Sequence, residues 1–378
     1  MSAAGERVLI VGAGPAGLAA AAALSLTGVD ALVLERDARI GDGWRRRYDR
    51  LHLHTARAFS GLPFRGMPRS FPRYVPRDLY AGYLETYARD LRLRVQTSTR
   101  VDRVARADGR WTVRAGDATW SARAVVLAMG RFGAPVLPSW AGREAFAGRV
   151  VHSSAYRNGS DFAGGSVLVV GAGNSGTEIA TDLVQQRAAR VVISVRSGVF
   201  VSRRDVFGLP LQLFGIALMP LPPAIADGIG RAVNRVVVGD LSRFGLRPAP
   251  ASRMPFRGMH VPIIDVGFLA ELRRGRIVVR PDVARFTPSG IVFADGREER
   301  FDAVVAATGF RPEIEDVLDL AGVLDEQGLP RDRSGDPTRY PGLYFLGYTS
   351  TPRGVLFEAN RDARRLARVV AVQLSRAA

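Results

Sequence analysis

Two glycine-rich turns carry the most definite chemistry in this chain. The first lies in RVLIVGAGPAGLAAAAAL, where Gly12, Gly14 and Gly17 stand in GxGxxG spacing between an apolar strand pattern, Val8 to Val11, and an alanine-rich helix. In the second, the apolar run Val167 to Val170 leads into Gly171, Gly173 and Gly176, and a helical pattern opens at Asn174. In each turn the first glycine permits the tight bend, the second lets the backbone approach a pyrophosphate, and the third lets helix and strand pack closely. The helix start turns free N–H groups toward the phosphates. Pro15 and Ala16 in the first turn, and Asn174 and Ser175 in the second, complete the candidate phosphate contacts. Two such turns in one polypeptide predict two dinucleotides with electron transfer between them.

The residue ending the following strand separates the two sites. After the first turn, Ala31 to Leu34 ends in Glu35, twenty-one positions beyond Gly14, where a carboxylate accepts hydrogen bonds from a ribose hydroxyl pair and rejects a 2′-phosphate. FAD and NAD both carry that free ribose, so this segment alone does not distinguish them; its place ahead of a second site favours FAD. After the second turn, Val191 to Val195 ends in Arg196 and Ser197, and a guanidinium beside a hydroxyl suits the 2′-phosphate of NADPH. Arg203 and Arg204 are reserve candidates for the same phosphate.

Upstream of the second turn, Phe146, Gly148, His152 and Tyr156 form FxGxxxHxxxY. This resembles the fingerprint of class B flavin-dependent monooxygenases, the flavin-containing monooxygenase type. Further words, Trp44, YDRLHLH over 48–54, YLETYA over 83–88 and Ala307-Thr308-Gly309 in FDAVVAATGFRP, resemble the YUCCA-type, auxin-forming branch and its bacterial relatives. In the family the fingerprint is a hinge and lining; the Baeyer–Villiger branch usually ends it in Trp, so Tyr156 points away from ester formation. The resemblance implies FAD contacts at Arg36, Gly43, Trp44, Gly130 and Gly347, and NADPH contacts at Thr308 and Gly309. It implies a site lined by Trp44, His52, His54, Phe132, His152 and Tyr156, with no metal. It also implies that NADPH reduces FAD, that O2 adds to give a C4a-(hydro)peroxyflavin, and that this adduct oxygenates a small organic substrate. The chain departs from the YUCCA-type pattern at Met129 and Phe132, where that branch carries Thr and Asn. An NADPH-dependent flavin oxidase or reductase, passing electrons to O2 or a partner, is therefore the alternative, with a non-catalytic FAD- and NADPH-binding redox sensor as a third reading.

The elements that must position these residues follow from pattern and composition. At 378 residues, 47% hydrophobic, the chain exceeds one ordinary domain and can bury a large core. The expected fold is α/β with two Rossmann-like domains: a discontinuous FAD domain over 1–140 and 300–378, and an inserted NADPH domain over 141–299. Arg77 to Leu91 reads as an amphipathic helix, the alternating stretch Arg94 to Arg114 as a small antiparallel sheet, and about 354–374 as a C-terminal helix beside the flavin. The apolar segment 206–238 is interrupted by Pro210, Pro220, Pro222 and Pro223; no membrane span fits, and helices over about 206–250 that cap a substrate channel do. Peripheral membrane contact and a homodimer stay open.

Composition excludes whole classes. There is no cysteine, hence no disulfide framework, thiolate metal site or dithiol redox pair. The net charge of +17 comes from a chain without lysine, its 53 cations all arginines scattered through every segment. That distribution reads as a solvated basic surface and not as a nucleic-acid interface. No basic-then-apolar leader precedes the first strand, so a soluble, cytoplasmic protein is expected.

Overall fold

A computed structural model describes residues 6–376. Both glycine turns are built on parallel sheets. The first sheet places Glu6–Val11 between Ala31–Leu34 and Ala118–Leu127, and Arg94–Gln96 lies outside Ala31–Leu34. Ala118–Leu127 is long enough to serve two neighbourhoods. Its first half pairs antiparallel with Arg110–Ala115, and its second half pairs parallel with Glu6–Val11 on one side and Leu343–Phe345 on the other. The stretch 94–114 is thus not one antiparallel sheet. Arg94–Gln96 joins the parallel sheet, and antiparallel pairing begins only with Arg103–Ala107.

The second sheet is parallel throughout, in the order Ile277–Arg280, Arg190–Ser194, Ser166–Val170, Ala303–Ala306, Arg149–His152. Its central strands are apolar runs because helices and loops cover both faces. Ala303–Ala306, beyond the expected boundary at 299, is one of those inner strands. Arg149–His152, which carries the histidine of the fingerprint, is an edge.

Helix Pro15–Ser25 is buried from Ala16 to Leu24. Its alanines let it sit closely between the sheet and the C-terminal helix Val355–Arg376, with which it shares a core of Leu18, Leu24, Ala363, Leu366 and Val370. The helix expected at 77–91 spans Arg77–Asp90 and packs Tyr80, Tyr83 and Tyr87 into the same core. The proline-broken segment forms two helices, Leu211–Leu218 and Pro223–Val237, each opening behind a proline. Among the described residues no helix is long and apolar enough to cross a membrane.

The chain passes between the sheets twice, and the two passages lie side by side. Ala134–Pro135 pairs antiparallel with Phe310–Arg311, and Val136 N–H donates to the Gly309 carbonyl at 3.0 Å.

Candidate functional site

The two glycine turns are near copies in space. Gly12 and Gly171 have φ of +103° and +104°, a region closed to most side chains. A Cβ at Gly12 would stand 2.7 Å from the Ala128 carbonyl oxygen, and one at Gly171 would stand 2.5 Å from that of Ala307. A Cβ at Gly17 or Gly176 would stand 1.9 Å from the carbonyl oxygen of its own first glycine. At Gly14 and Gly173 a Cβ would meet no protein atom within 4 Å. Two of three glycines thus serve the turn, and the middle one keeps its outer face clear. Pro15 and Ala16 form the first turn of their helix, as Asn174 and Ser175 do of theirs.

Glu35 accepts from Ala13 N–H at 2.6 Å and from Asp37 N–H at 2.9 Å, so its carboxylate is held against the first turn. Arg36 turns away and donates to Glu313 at 2.6 Å. Gly43 is exposed, and Trp44 is half-buried with its ring edge-on to Tyr80. Gly130 and Gly347 both have positive φ, and a Cβ at Gly347 would lie 2.6 Å from Ala16 Cβ, so the end of the last strand closes onto the start of the first glycine-turn helix.

At the second site, Arg196 is exposed and Ser197 accepts a hydrogen bond from Arg253, a residue the sequence reading did not single out. Arg247 donates to the Arg196 carbonyl at 3.1 Å, which adds a third cation to this end of the strand. Asn174 is engaged by protein: its Oδ1 accepts from Ile264 N–H at 2.7 Å and its Nδ2 donates to the Pro262 carbonyl at 3.1 Å. Thr308 donates to the Val136 carbonyl, and Gly309 accepts from His152.

The fingerprint residues act as pins. His152 donates from Nε2 to the Gly309 carbonyl at 3.0 Å and accepts at Nδ1 from Ser154 N–H at 3.1 Å, which fixes a neutral ring. Burial, opposed by the Gly309 hydrogen bond and assisted by the nearby Arg47, holds its pKa below the usual histidine value. Tyr156 donates to Asp182 at 2.6 Å, and Asp182 also accepts from Gly159 N–H. Burial and the Asp182 carboxylate push the phenol far above its ordinary range. Gly148 leaves no room for a side chain, since a Cβ would meet the Phe146 ring at 2.5 Å.

His52 and His54 part company. His52 donates from Nδ1 to the Arg50 carbonyl at 2.7 Å, whereas His54 Nε2 meets the buried Glu178 at 2.6 Å. Glu178 lies on the second glycine-turn helix, Asn174–Gln185, near Tyr48. Segment 45–54 therefore bridges the two sheets, with further links from Asp49 to Asn158 and from Arg157 to the carbonyls of Arg45 and Arg47. These links escaped the sequence reading because each joins residues more than one hundred positions apart. Phe132 is 62% exposed and stands edge-on to Phe310, and Met129 packs half-buried against the core of the first sheet.

Beneath the cap helices lies an apolar pocket with Phe200, Val206, Phe214, Ile229, Phe256 and Pro352 in its wall. Pro352 follows Gly347 by five positions in the chain. Reserve candidates Arg203 and Arg204 follow its wall: Arg203 is exposed, and Arg204 lies over the Tyr74 ring with 3.9 Å to the centroid.

Comparison with known proteins agrees with this architecture. Residues 9–206 match the pyridine nucleotide-disulphide oxidoreductase family model. The chain is 37% identical to the indole-3-pyruvate monooxygenase YUCCA1 of Oryza sativa subsp. japonica, over 97% of this chain and 91% of that protein. It is 35% identical to the probable indole-3-pyruvate monooxygenase YUCCA4 of Arabidopsis thaliana, over 90% and 84%. The solved structure of a flavin-containing monooxygenase from Stenotrophomonas maltophilia superposes with a TM-score of 0.75 at 28% identity, with both chains fully covered. With two such turns, no cysteine for dithiol chemistry and relatives matching nearly end to end, the chain belongs to the class B flavin-dependent monooxygenases, in the YUCCA-type branch.

Proposed function

We propose that this flavoprotein monooxygenase, using FAD, NADPH and O2, oxygenates the carbonyl carbon of a 2-oxo acid with an apolar, aromatic-sized side chain. The observation that carries the substrate class is the apolar pocket under the cap helices, walled by Phe200, Phe214 and Phe256 and bordered by Pro352, in a chain whose relatives are named for an arylpyruvate. Bound FAD would supply the redox and oxygen-activating chemistry, with NADPH as the reductant. The balance is one 2-oxo acid, O2, NADPH and a proton in, and the carboxylic acid one carbon shorter, CO2, NADP+ and water out.

The chain's own residues bind, orient and exclude. Gly12, Gly14 and Gly17 with Glu35 hold the adenosine diphosphate half of FAD, and Gly347 brings the last strand to the same helix start. Gly171, Gly173 and Gly176 hold the NADPH pyrophosphate, and Arg196, Ser197 and Arg253 read its 2′-phosphate. On this reading the first sheet, with the C-terminal helix, is the FAD domain, and the second sheet is the NADPH domain. His152 and Tyr156, both engaged within the protein, fix the geometry and transfer no proton. The pocket keeps water from the reacting carbon. Localisation in the cytoplasm belongs to the same proposal.

The test measures NADPH consumption, product and peroxide with an arylpyruvate, an aryl methyl sulfide and an amine. Product matching NADPH consumed with the arylpyruvate alone is the expected result. Coupled turnover of the sulfide or amine instead would replace the substrate class. Stoichiometric peroxide with every compound would install the oxidase reading that Met129 and the exposed Phe132 motivate.

A further inference from the structure

The cap helix Pro223–Val237 is amphipathic the wrong way round. Its inner side carries polar groups: Asp227 is buried and accepts the N–H groups of Phe256 and Arg257 at 3.0 Å, and Asn234 donates to the Val201 carbonyl at 2.8 Å. Its outer side carries Ile225, Ile229, Ala232 and Val236, whose helical spacing sets them in one stripe. All four are exposed, Val236 to 77%. A helix on a protein surface ordinarily turns such a stripe inward. A second apolar group projects from the same cap. Phe207 is 70% exposed at the tip of the hairpin that joins Asp205–Val206 to Leu209–Pro210, and its φ of +52° is a conformation that costs a bulky residue and that Asn takes more readily. Val206, beside Phe207, and Ile229, in the stripe, stand in the wall of the same pocket, so hairpin and helix meet at one cavity.

The charge of the cap is one-sided. Between positions 203 and 257 there are eight arginines and three aspartates. Asp227 is taken by backbone N–H groups, and Asp205 is engaged by Arg73, from outside the cap, at 3.0 Å. Arg203, Arg231 and Arg257 are exposed, and none of them has an ion pair among the described residues. Arg231 and Arg235 share one flank of the apolar stripe. We propose that this cap docks on an anionic lipid surface, with the stripe and Phe207 entering the headgroup boundary and the arginines meeting lipid phosphates. A second copy of the chain is a poorer occupant, because it carries the same net charge of +17 and would have to bury the same unpaired arginines. A rigid acidic protein would have to match the helix stripe and the separate hairpin tip at once, whereas a fluid headgroup layer adapts to both. Ile229 belongs to the stripe and to the pocket wall, so docking sets that wall at the lipid boundary.

The test is flotation of the FAD-loaded protein with vesicles of phosphatidylcholine alone and of phosphatidylcholine mixed with phosphatidylglycerol, at low and high salt. The mixed vesicles are expected to bind about ten-fold more tightly than the neutral ones, and salt should shrink the difference. Ile225→Gln combined with Val236→Gln, and Arg231→Gln combined with Arg235→Gln, should each lower that binding. Phe207→Asn should lower it too while the melting temperature holds or rises, because Asn relieves the left-handed residue; lost binding then has no explanation in a lost fold. Leu26→Gln, which removes an apolar side chain 67% exposed outside the cap, should change nothing. A wild type that leaves the mixed vesicles unbound overturns the proposal, as does binding that ignores salt and lipid charge or survives the stripe and Phe207 changes. Equal loss with Leu26→Gln also overturns it. A dimer in solution that the stripe changes dissociate, with vesicles unbound, would make this a face between copies. If the stripe variants fail to fold, Phe207→Asn decides the matter.

Discussion

At the scale of single residues, glycines of one motif divide their labour, and substitution should separate the parts. Gly17→Ala puts a methyl 1.9 Å from the Gly12 carbonyl oxygen, so the fold itself must shift. It should destabilise the protein by about 1–3 kcal/mol, in the range of overpacking. Gly14→Val meets no protein atom at its Cβ and should leave folding intact while abolishing FAD retention. Flavin absorbance per chain and thermal melting of the two variants check both; a Gly14→Val protein that purifies yellow with one FAD per chain would remove the pyrophosphate from this turn. Arg196 makes the complementary case. Arg196→Ala should weaken NADPH by about 1.5–3 kcal/mol and leave NADH nearly untouched, because only the 2′-phosphate needs the cation. Arg253→Ala should act in the same direction, since Arg253 donates to Ser197. Equal losses with both coenzymes would make these arginines supports of the loop. Arg196 is singled out by the sequence because its position at a strand end after a glycine turn has a meaning. Arg253 is not, because nothing local to it announces Ser197, fifty-six positions earlier.

At the scale of elements, the edge strand Arg149–His152 is held to the crossover at 307–309 by His152, and that pin titrates. Its folded pKa lies below the ordinary value of 6.5, with burial the leading cause. The unfolded chain therefore takes up a proton first as pH falls, and stability is lost as pH drops from the unfolded pKa toward the folded one. Melting temperature should decline on the acid side of neutrality, and His152→Gln, which can still donate to Gly309, should flatten part of that decline. His260 is shifted in the same direction, chiefly by burial, so the His152 share is the difference between the two proteins. Identical acid-side slopes would mean that this histidine does not titrate on unfolding. How much of the elements could be read beforehand follows the same logic of local against remote causes. The helix at 77–90 and both glycine-turn helices were legible because periodicity and glycine spacing are local. Arg94–Gln96 was misread as antiparallel because alternation records which face is buried and not which neighbour is paired; its partner, Ala31–Leu34, lies sixty residues away.

At the scale of the whole molecule, the two sheets that carry the glycine turns are joined by a two-stranded ribbon, Ala134–Pro135 with Phe310–Arg311, and by segment 45–54, which reaches the helix of the second glycine turn. The second link adds side-chain contacts between the two sheets. Its centre is His54 against Glu178, a carboxylate only 2% exposed that also contacts Tyr48. Removing the histidine takes away a hydrogen-bond partner of the buried Glu178 carboxyl, a loss on the order of 1–3 kcal/mol. If the link sets the approach of the NADPH site to the flavin site, His54→Ala should raise the KM for NADPH and increase the share of NADPH electrons recovered as peroxide. Glu178→Gln keeps a group of the same shape that can still hydrogen-bond His54, so its effect should be smaller in both respects. The double variant should resemble Glu178→Gln more than the sum of the singles, since the two residues act through one contact. Peroxide and product are assayed together against NADPH consumed, with melting temperature measured in parallel. Loss of stability with coupling unchanged would confine the pair to holding the fold, whereas leakage to peroxide in a protein that melts near wild type would make the distance between the sheets the quantity that protects the oxygen from water.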